Sequence, residues 1–416
     1  GRRVSAPNLP APAARALGVE ASLAEIAASG SRATVPAPPS AHDEAAILFT
    51  SGSTGPAKGV VYTHAQLTAL RDTLAAHFGV TAETGLVTGF APFALLGPAL
   101  GTRSATPDMD VSAPRTLTAS AVAAAVRASD ARIVFLSPAA VSNVVATASD
   151  LTRDDRAALE KVETFLSTGA PVSVDLLRRA QELMPNAVAH TPYGMTECLL
   201  VADVTLPEIE QARGDRGVCV GRPLGTGQVR ISALDAEGRA AGEPRTDAGV
   251  TGEVVISAPH LKRGYFRLYL TDREARRGLP ERWHRTGDVG HLDADGRLWI
   301  EGRLPHVITT ADGPVTPVGI EQDVESIPAV ERAAAVGVGP VGRQVVVTVV
   351  EAGVRRPGLA SPDLTERVRA ATSQRLAAVL VVPTLPTDIR HNSKIDRSRL
   401  ARWAERVLAG EKPTAP

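Results

Sequence analysis

From about residue 45 to residue 300, short apolar runs alternate with longer Ala-rich stretches in which apolar positions recur every three or four residues. The segments 45–49, 132–136, 162–166 and 187–190 read as buried strands, and 118–129 and 175–184 read as helices. That alternation predicts an α/β fold of layers built on a largely parallel sheet. From Val218 to Ile256 the texture changes to β-rich segments, 228–232 and 252–256, separated by Asp/Gly turns, which predicts a β-subdomain spanning about 217–302. Beyond Gly302-Arg303 a compact α+β tail is expected: a strand over 345–351, a Pro/Gly turn, a helix over 362–379 and a last helix over 396–408. The first forty-odd residues are rich in Ala, Pro and Ser, end in Pro36-Ala37-Pro38-Pro39-Ser40, and read as an irregular connector. No internal repeat is visible.

Composition narrows this picture without changing it. A chain of 416 residues is too long for one core and implies two or three domains. With 45 basic and 45 acidic residues its formal charge is zero, so no global field draws it to nucleic acid or to an anionic membrane. No stretch approaches the ~18 apolar residues that span a bilayer. Cys198 and Cys219 alone make neither a metal cluster nor a disulfide framework, and the start of the chain lacks a signal-peptide pattern, so a cytoplasmic enzyme is expected. Lysine occurs only at positions 58, 161, 262, 394 and 412 in an Arg-rich chain. A lysine kept in that setting is a candidate for a role that needs a compact point charge.

The run 45–49 empties into Thr50-Ser51-Gly52-Ser53-Thr54-Gly55-Pro56-Ala57-Lys58-Gly59, with four hydroxyls, three glycines and a lysine. Glycines let backbone N–H groups close on an anion, hydroxyls add donors and the lysine adds charge, which suits a polyphosphate. The P-loop spacing G-x-x-x-x-G-K-[ST] is not met, because Gly59 follows Lys58. The plain alternative is a flexible surface turn. A second segment, Tyr193-Gly194-Met195-Thr196-Glu197, follows a short strand. Its ring can stack on or border an adenine, Thr196 can bond a phosphate, and Glu197 offers Mg²⁺ a hard oxygen. A third, Thr286-Gly287-Asp288, places a carboxylate on a turn, suited to accepting ribose hydroxyls; alone it is a weak signal.

In this order the segments resemble the motifs of the adenylate-forming superfamily, which includes acyl-CoA synthetases, luciferases and peptide-synthetase adenylation domains. The resemblance implies ATP and Mg²⁺ as cofactors, with Thr50, Ser51, Gly52, Ser53, Thr54, Gly55 and Lys58 around the phosphates and Glu197 on the metal. It adds the turn Gly169-Ala170-Pro171 beside the adenine, Arg303 at the interdomain hinge, and Lys394, in Asn392-Ser393-Lys394-Ile395, as the lysine that swings in during adenylation. A large domain over 1–302 and a small mobile one over 303–416 follow. Because the phosphate loop starts at residue 50, the front of the large domain is expected to be missing, as in a fragment or a truncated homologue.

Within the superfamily, Gly302-Arg303-Leu304-Pro305-His306, 93–101, 217–223 and 388–395 look like the β-lactone synthetases of bacterial olefin and β-lactone pathways. There a 2-alkyl-3-hydroxy acid is adenylated and its own 3-hydroxyl displaces AMP. The expected partners are thus a 3-hydroxy fatty acid and other enzymes of the same lipid pathway, with neither nucleic acid nor membrane insertion. His64, His190, His306 and His391 are candidate bases, each more readily structural, with His391 favoured because it would travel with Lys394. The rival readings are a fatty acyl-CoA or acyl-AMP ligase and a noncatalytic adenylate-binding scaffold.

Overall fold

The computed structural model describes the chain except residues 1–2, 6–7, 32–33, 36, 51–55, 95, 112, 170, 213–215 and 388–394. It forms two compact units, 1–43 and 44–416. The first is not an irregular connector throughout. Val4–Ser5 pairs in parallel with Ala21–Ser22, and helices Ala11–Ala16 and Leu23–Gly30 follow those strands. The second helix starts at a capping box in which Ser22 and Glu25 satisfy each other's backbone N–H, a local signal that outweighs the Ala/Pro/Ser composition.

In the second unit the expected parallel sheet is present. Its five strands run Ser104–Ala105, Leu86–Thr88, Ile133–Leu136, Thr164–Ser167 and Val188–His190, all parallel. Ile133–Leu136 is buried along its length, as a central strand covered on both faces must be. Helix Ala119–Ser129 starts at Thr118, whose hydroxyl accepts from Ala121 N–H, and helix Val174–Leu183 starts at Ser173 in the same way. Their apolar faces join Val134, Leu136 and Phe165 in one core.

The β-rich middle forms a seven-stranded antiparallel sheet in the order Tyr193–Met195, Cys198–Asp203, Val218–Pro223, Leu298–Arg303, His284–Leu292, Gly252–Ser257 and Gln228–Ala233. Segments 193–197 and 286–288 and Arg303 therefore share one sheet.

Two expectations need correction. The run 45–49 is a strand, Glu44–Phe49, but it is the edge of a three-stranded antiparallel sheet and Phe49 is 67% exposed. The fully buried strand is its hairpin partner Gly59–Thr63, because only that one is flanked on both sides, by 44–49 and by Gly264–Tyr265. The helix expected over 362–379 stops at Ala371; Thr372 turns extended, and Leu376–Val382 is a strand pairing in parallel with Val345–Glu351. The Val-rich end of that run is buried on both faces, where β-branched side chains pack well. Alanines at its start hid the change of period.

The remaining tail matches its expected class. Arg332–Val338, Val345–Glu351, Leu376–Val382 and Gly358–Leu359 make a four-stranded sheet carrying helices Pro317–Glu325, Pro362–Ala371 and Arg397–Leu408. Cores on its two faces are built from residues of 308–404, among them Ile320, Val350, Leu380 and Trp403.

Candidate functional site

Lys58 and Glu197, 139 positions apart in sequence, meet at the mouth of the hairpin 44–63. The hairpin loop is closed at its neck by Thr50 N–H donating to the Lys58 carbonyl (3.0 Å) and Lys58 N–H donating to Thr50 Oγ1 (3.0 Å). Of the expected phosphate cradle, residues 51–55 lie outside the described residues. Lys58 Nζ is 3.5 Å from Glu197 Oε1. The Tyr265 hydroxyl donates to the same Oε1 at 2.6 Å, and Lys58 Nζ donates to the Tyr265 oxygen at 3.4 Å. Glu197 is buried, and its Oε2 has no hydrogen-bond partner among the described residues. A buried carboxylate with one oxygen anchored and one open fits a hard divalent cation.

The backbone under this carboxylate is pinned from two sides. Tyr62 donates to the Thr196 carbonyl at 2.7 Å, and Lys262 N–H donates to the Glu197 carbonyl at 2.8 Å. The buried Lys262 ammonium lies 4.1 Å from the centre of the Tyr265 ring and pairs with Asp272 at 2.6 Å. Burial lowers its pKa, and Asp272 opposes that. Burial, followed by the Glu197 charge, raises the Tyr265 pKa, so this phenol keeps its proton and stays a donor. Burial also pushes the Cys198 thiol up to about 12, which leaves it inert as a nucleophile.

A second cluster centres on Asp288. Tyr193 Oη donates to its Oδ2 at 2.5 Å and Arg303 Nη1 donates to its Oδ1 at 2.7 Å. Asp288 N–H donates to Thr286 Oγ1, whose proton goes to the Val254 carbonyl, so the Thr-Gly-Asp turn is locked to the sheet. Gly287 has φ +71°, which the turn demands and a side chain resists. A carboxylate offers about four lone-pair sites, so Asp288 retains capacity for ribose hydroxyls. Arg303 Nε is buried and has no hydrogen-bond partner among the described residues. The clusters are close enough for the Glu197 charge to be among the causes that raise the Arg303 pKa, after the opposing effect of burial and the pull of Asp288.

Gly194 sits where a Cβ would come within 2.2 Å of the Leu199 carbonyl oxygen, so only glycine permits this hairpin. The turn read as bordering the adenine is tied to the same motif: Thr168 Oγ1 donates to the Pro192 carbonyl at 2.5 Å. Gly169 and Pro171 are exposed there, Gly169 at φ +101°, and Ala170 lies outside the described residues. Behind Thr168 and Pro192 an apolar cavity is walled by Phe78, Leu86, Phe93, Ile133 and Phe135.

His391 and Lys394 lie outside the described residues; the helix that follows them, Arg397–Leu408, is N-capped by the Asp396 side chain. Of the other histidines, His64 opens helix His64–Phe78 and His190 bonds Asp203 at 2.6 Å. His306 lies in the 3₁₀ turn Leu304–His306, where burial and then Arg397 and Arg303 depress it to about 4. Tyr62, Tyr265, Lys262 and Asp272 were not picked out from sequence. Scarcity was the available signal: three of the four tyrosines, 62, 193 and 265, serve these clusters, and Lys262 is among five lysines.

With this geometry in place, the comparisons are informative. The chain matches the family described as "AMP-binding enzyme" over residues 6–266. It is similar to an olefin beta-lactone synthetase of Stenotrophomonas maltophilia, 38% identical over 384 residues, covering 88% of this chain and 68% of the relative. An olefin beta-lactone synthetase of Xanthomonas campestris pv. campestris is 37% identical over 382 residues, covering 88% and 67%. Among solved structures, the O-succinylbenzoate coenzyme A synthetase of Bacillus subtilis in complex with ATP and magnesium ion superposes with a TM-score of 0.69 at 17% identity, covering 95% of this chain and 78% of that one.

Proposed function

The chain belongs to the AMP-binding enzyme family, and on that premise we propose that it is an AMP-forming ligase that turns a long-chain 2-alkyl-3-hydroxy acid into a β-lactone. In the first step a carboxylate oxygen attacks the α-phosphorus of ATP and the bond to pyrophosphate breaks. In the second, the 3-hydroxyl oxygen bonds to the acyl carbon, the bond from that carbon to the AMP oxygen breaks, and the hydroxyl proton leaves to a base or to solvent. Both reacting groups belong to one substrate, so the effective molarity is high and no CoA is needed.

The observation that carries this reading is the convergence of Lys58, Glu197, Asp288 and Arg303, from four separated segments, in a chain 38% identical to an olefin beta-lactone synthetase. In the proposed assignment, Thr50 to Lys58 hold the phosphates, with Thr196 beside them and Glu197 as the metal ligand. Mg²⁺, when bound, supplies positive charge against the phosphate oxygens. Tyr265 fixes the rotamer of Glu197 and the reach of Lys58. Asp288 takes the ribose, while Tyr193 to Met195 and the turn 169–171 border the adenine. The apolar cavity behind Thr168 and Pro192 takes an alkyl chain, since its lining offers an aliphatic group dispersion contacts and almost no competing polar partner.

We read 303–416 as the small domain that brings Lys394 to the reacting carboxylate, with His391 as its companion base. The separate cores within 308–404 support that division, and Pro305 in the turn after Arg303 stiffens the link. No helix among the described residues is long and apolar enough to cross a membrane. Two buried free thiols favour a reducing, cytoplasmic setting, in which enzymes that make long-chain 3-hydroxy acids would supply the substrate.

The test is product analysis with ATP, Mg²⁺ and a racemic 2-alkyl-3-hydroxy acid, with and without CoA. Equal yields of lactone and AMP in both arms are expected. A CoA thioester as the main product would replace this reading with an acyl-CoA ligase.

A further inference from the structure

Away from the nucleotide site, three side chains from three elements meet on one carboxylate oxygen. His77 Nε2, near the C-terminus of helix His64–Phe78, lies 2.7 Å from Asp203 Oδ2. His190 Nδ1, at the end of the last parallel strand, lies 2.6 Å from the same atom. The three donor atoms fall within 4.8 Å of one another. Asp203 is buried, and its second oxygen, Oδ1, is also buried and has no hydrogen-bond partner among the described residues. No lysine or arginine side chain pairs with this carboxylate among the described residues. Burying Oδ1 without a hydrogen bond is costly, and it leaves an open acceptor beside the two imidazoles.

We propose that His77, His190 and Asp203 form a binding site for a divalent transition-metal ion of the zinc type, distinct from the hard-cation site at Glu197. Two imidazoles and one carboxylate are the donor set such an ion prefers, whereas Mg²⁺ and Ca²⁺ favour oxygen alone. A zinc ion sits about 2.0–2.2 Å from nitrogen and oxygen ligands, which spaces tetrahedral ligand atoms roughly 3.3–3.6 Å apart, so each imidazole nitrogen must draw back from Asp203 Oδ2 by about 0.6–1.0 Å to admit it. His77 is at the surface, with its side chain 29% exposed, so an ion has an entry path and water can complete its coordination. The bound ion would tie the helix end, the parallel sheet and strand Cys198–Asp203 together. It would also fix the wall of the apolar cavity, because Phe78 packs edge-on against His190 at 5.5 Å and lines that cavity.

The test uses the full chain stripped with a chelator and titrated with ZnCl₂ by calorimetry in excess Mg²⁺, which keeps hard sites filled. Cobalt(II) is added in a parallel spectroscopic titration. The site predicts saturable binding near one equivalent with a Kd of roughly micromolar or tighter, visible cobalt bands, and a zinc-dependent rise in Tm. His77→Ala, a change at an exposed helix end, should weaken zinc binding by roughly 10- to 100-fold and abolish the Tm rise. Asp203→Asn, where it folds, should do the same. Absence of saturable binding in the wild type, or zinc affinity unchanged in His77→Ala, would overturn the site and leave a hydrogen-bonded clamp.

Discussion

At the scale of single residues, Glu197 depends on its neighbours to hold its proposed metal-binding geometry. A glutamate has three rotatable bonds, and holding its carboxylate in one place costs side-chain entropy of about 1–2 kcal/mol unless something anchors it. The Tyr265 hydroxyl at 2.6 Å is that anchor, and Lys262 over the phenol face holds the anchor itself. Glu197→Gln removes the charge and should lower pyrophosphate release by roughly 100-fold or more. Tyr265→Phe keeps the ring and the Glu197 charge and removes the bond to Glu197 together with the weaker one from Lys58, so a loss near tenfold, about 1–2 kcal/mol, is expected. A stopped assay of pyrophosphate against ATP concentration distinguishes them. Equal losses in both variants, or none in either, would dissolve the proposed hierarchy. Asp288 follows the same logic. Its replacement by alanine removes a charged acceptor and unpairs Arg303, so ATP binding should weaken by a few kcal/mol, read as nucleotide KM.

At the scale of elements, the hairpin 193–203 is the piece most sensitive to sequence. Its tightest point is Gly194, where an added methyl would lie 2.2 Å from a backbone oxygen that cannot move without opening the strand pair. Gly194→Ala should therefore cost about 2–4 kcal/mol, measurable as a lowered urea midpoint with unchanged m; a shift under about 0.5 kcal/mol would mean the hairpin yields freely. Sequence revealed what depends on local spacing. Apolar spacing marked the helices 118–129 and 175–184 to within two residues of their observed bounds, and Tyr193-Gly194-Met195-Thr196-Glu197 was legible because its residue types sit side by side. What it concealed depends on partners distant in the chain. Tyr265 reaches Glu197 across 68 positions, and nothing in Gly264-Tyr265-Phe266 announces that contact. Residues 376–379, the first part of strand Leu376–Val382, fall inside the expected helix because alanine suits either state until a neighbouring strand decides.

At the scale of the whole molecule, burying polar groups around the site makes stability depend on pH. His284 is 3% exposed, and burial, then Lys262 and Lys58, depress its pKa to about 3. In the unfolded chain a histidine titrates near 6.5. Above that pH neither state is protonated and nothing is lost. As pH falls below it, the unfolded chain takes a proton that the fold refuses, so stability declines by up to about 1.4 kcal/mol per unit, or about 2 kcal/mol at pH 5. Urea titrations from pH 7 to 4 should show a shallower decline in His284→Gln than in the wild type; parallel curves would remove His284 as a cause. The reaction itself is tested most directly by isotope labelling. A 2-alkyl-3-hydroxy acid carrying ¹⁸O in both carboxyl oxygens, turned over with ATP and Mg²⁺ and without CoA, should place one label in the phosphate of AMP. The other should remain in the lactone carbonyl, with an unlabelled ring oxygen supplied by the 3-hydroxyl. A lactone retaining both labels, or AMP containing none, would contradict adenylation followed by internal displacement.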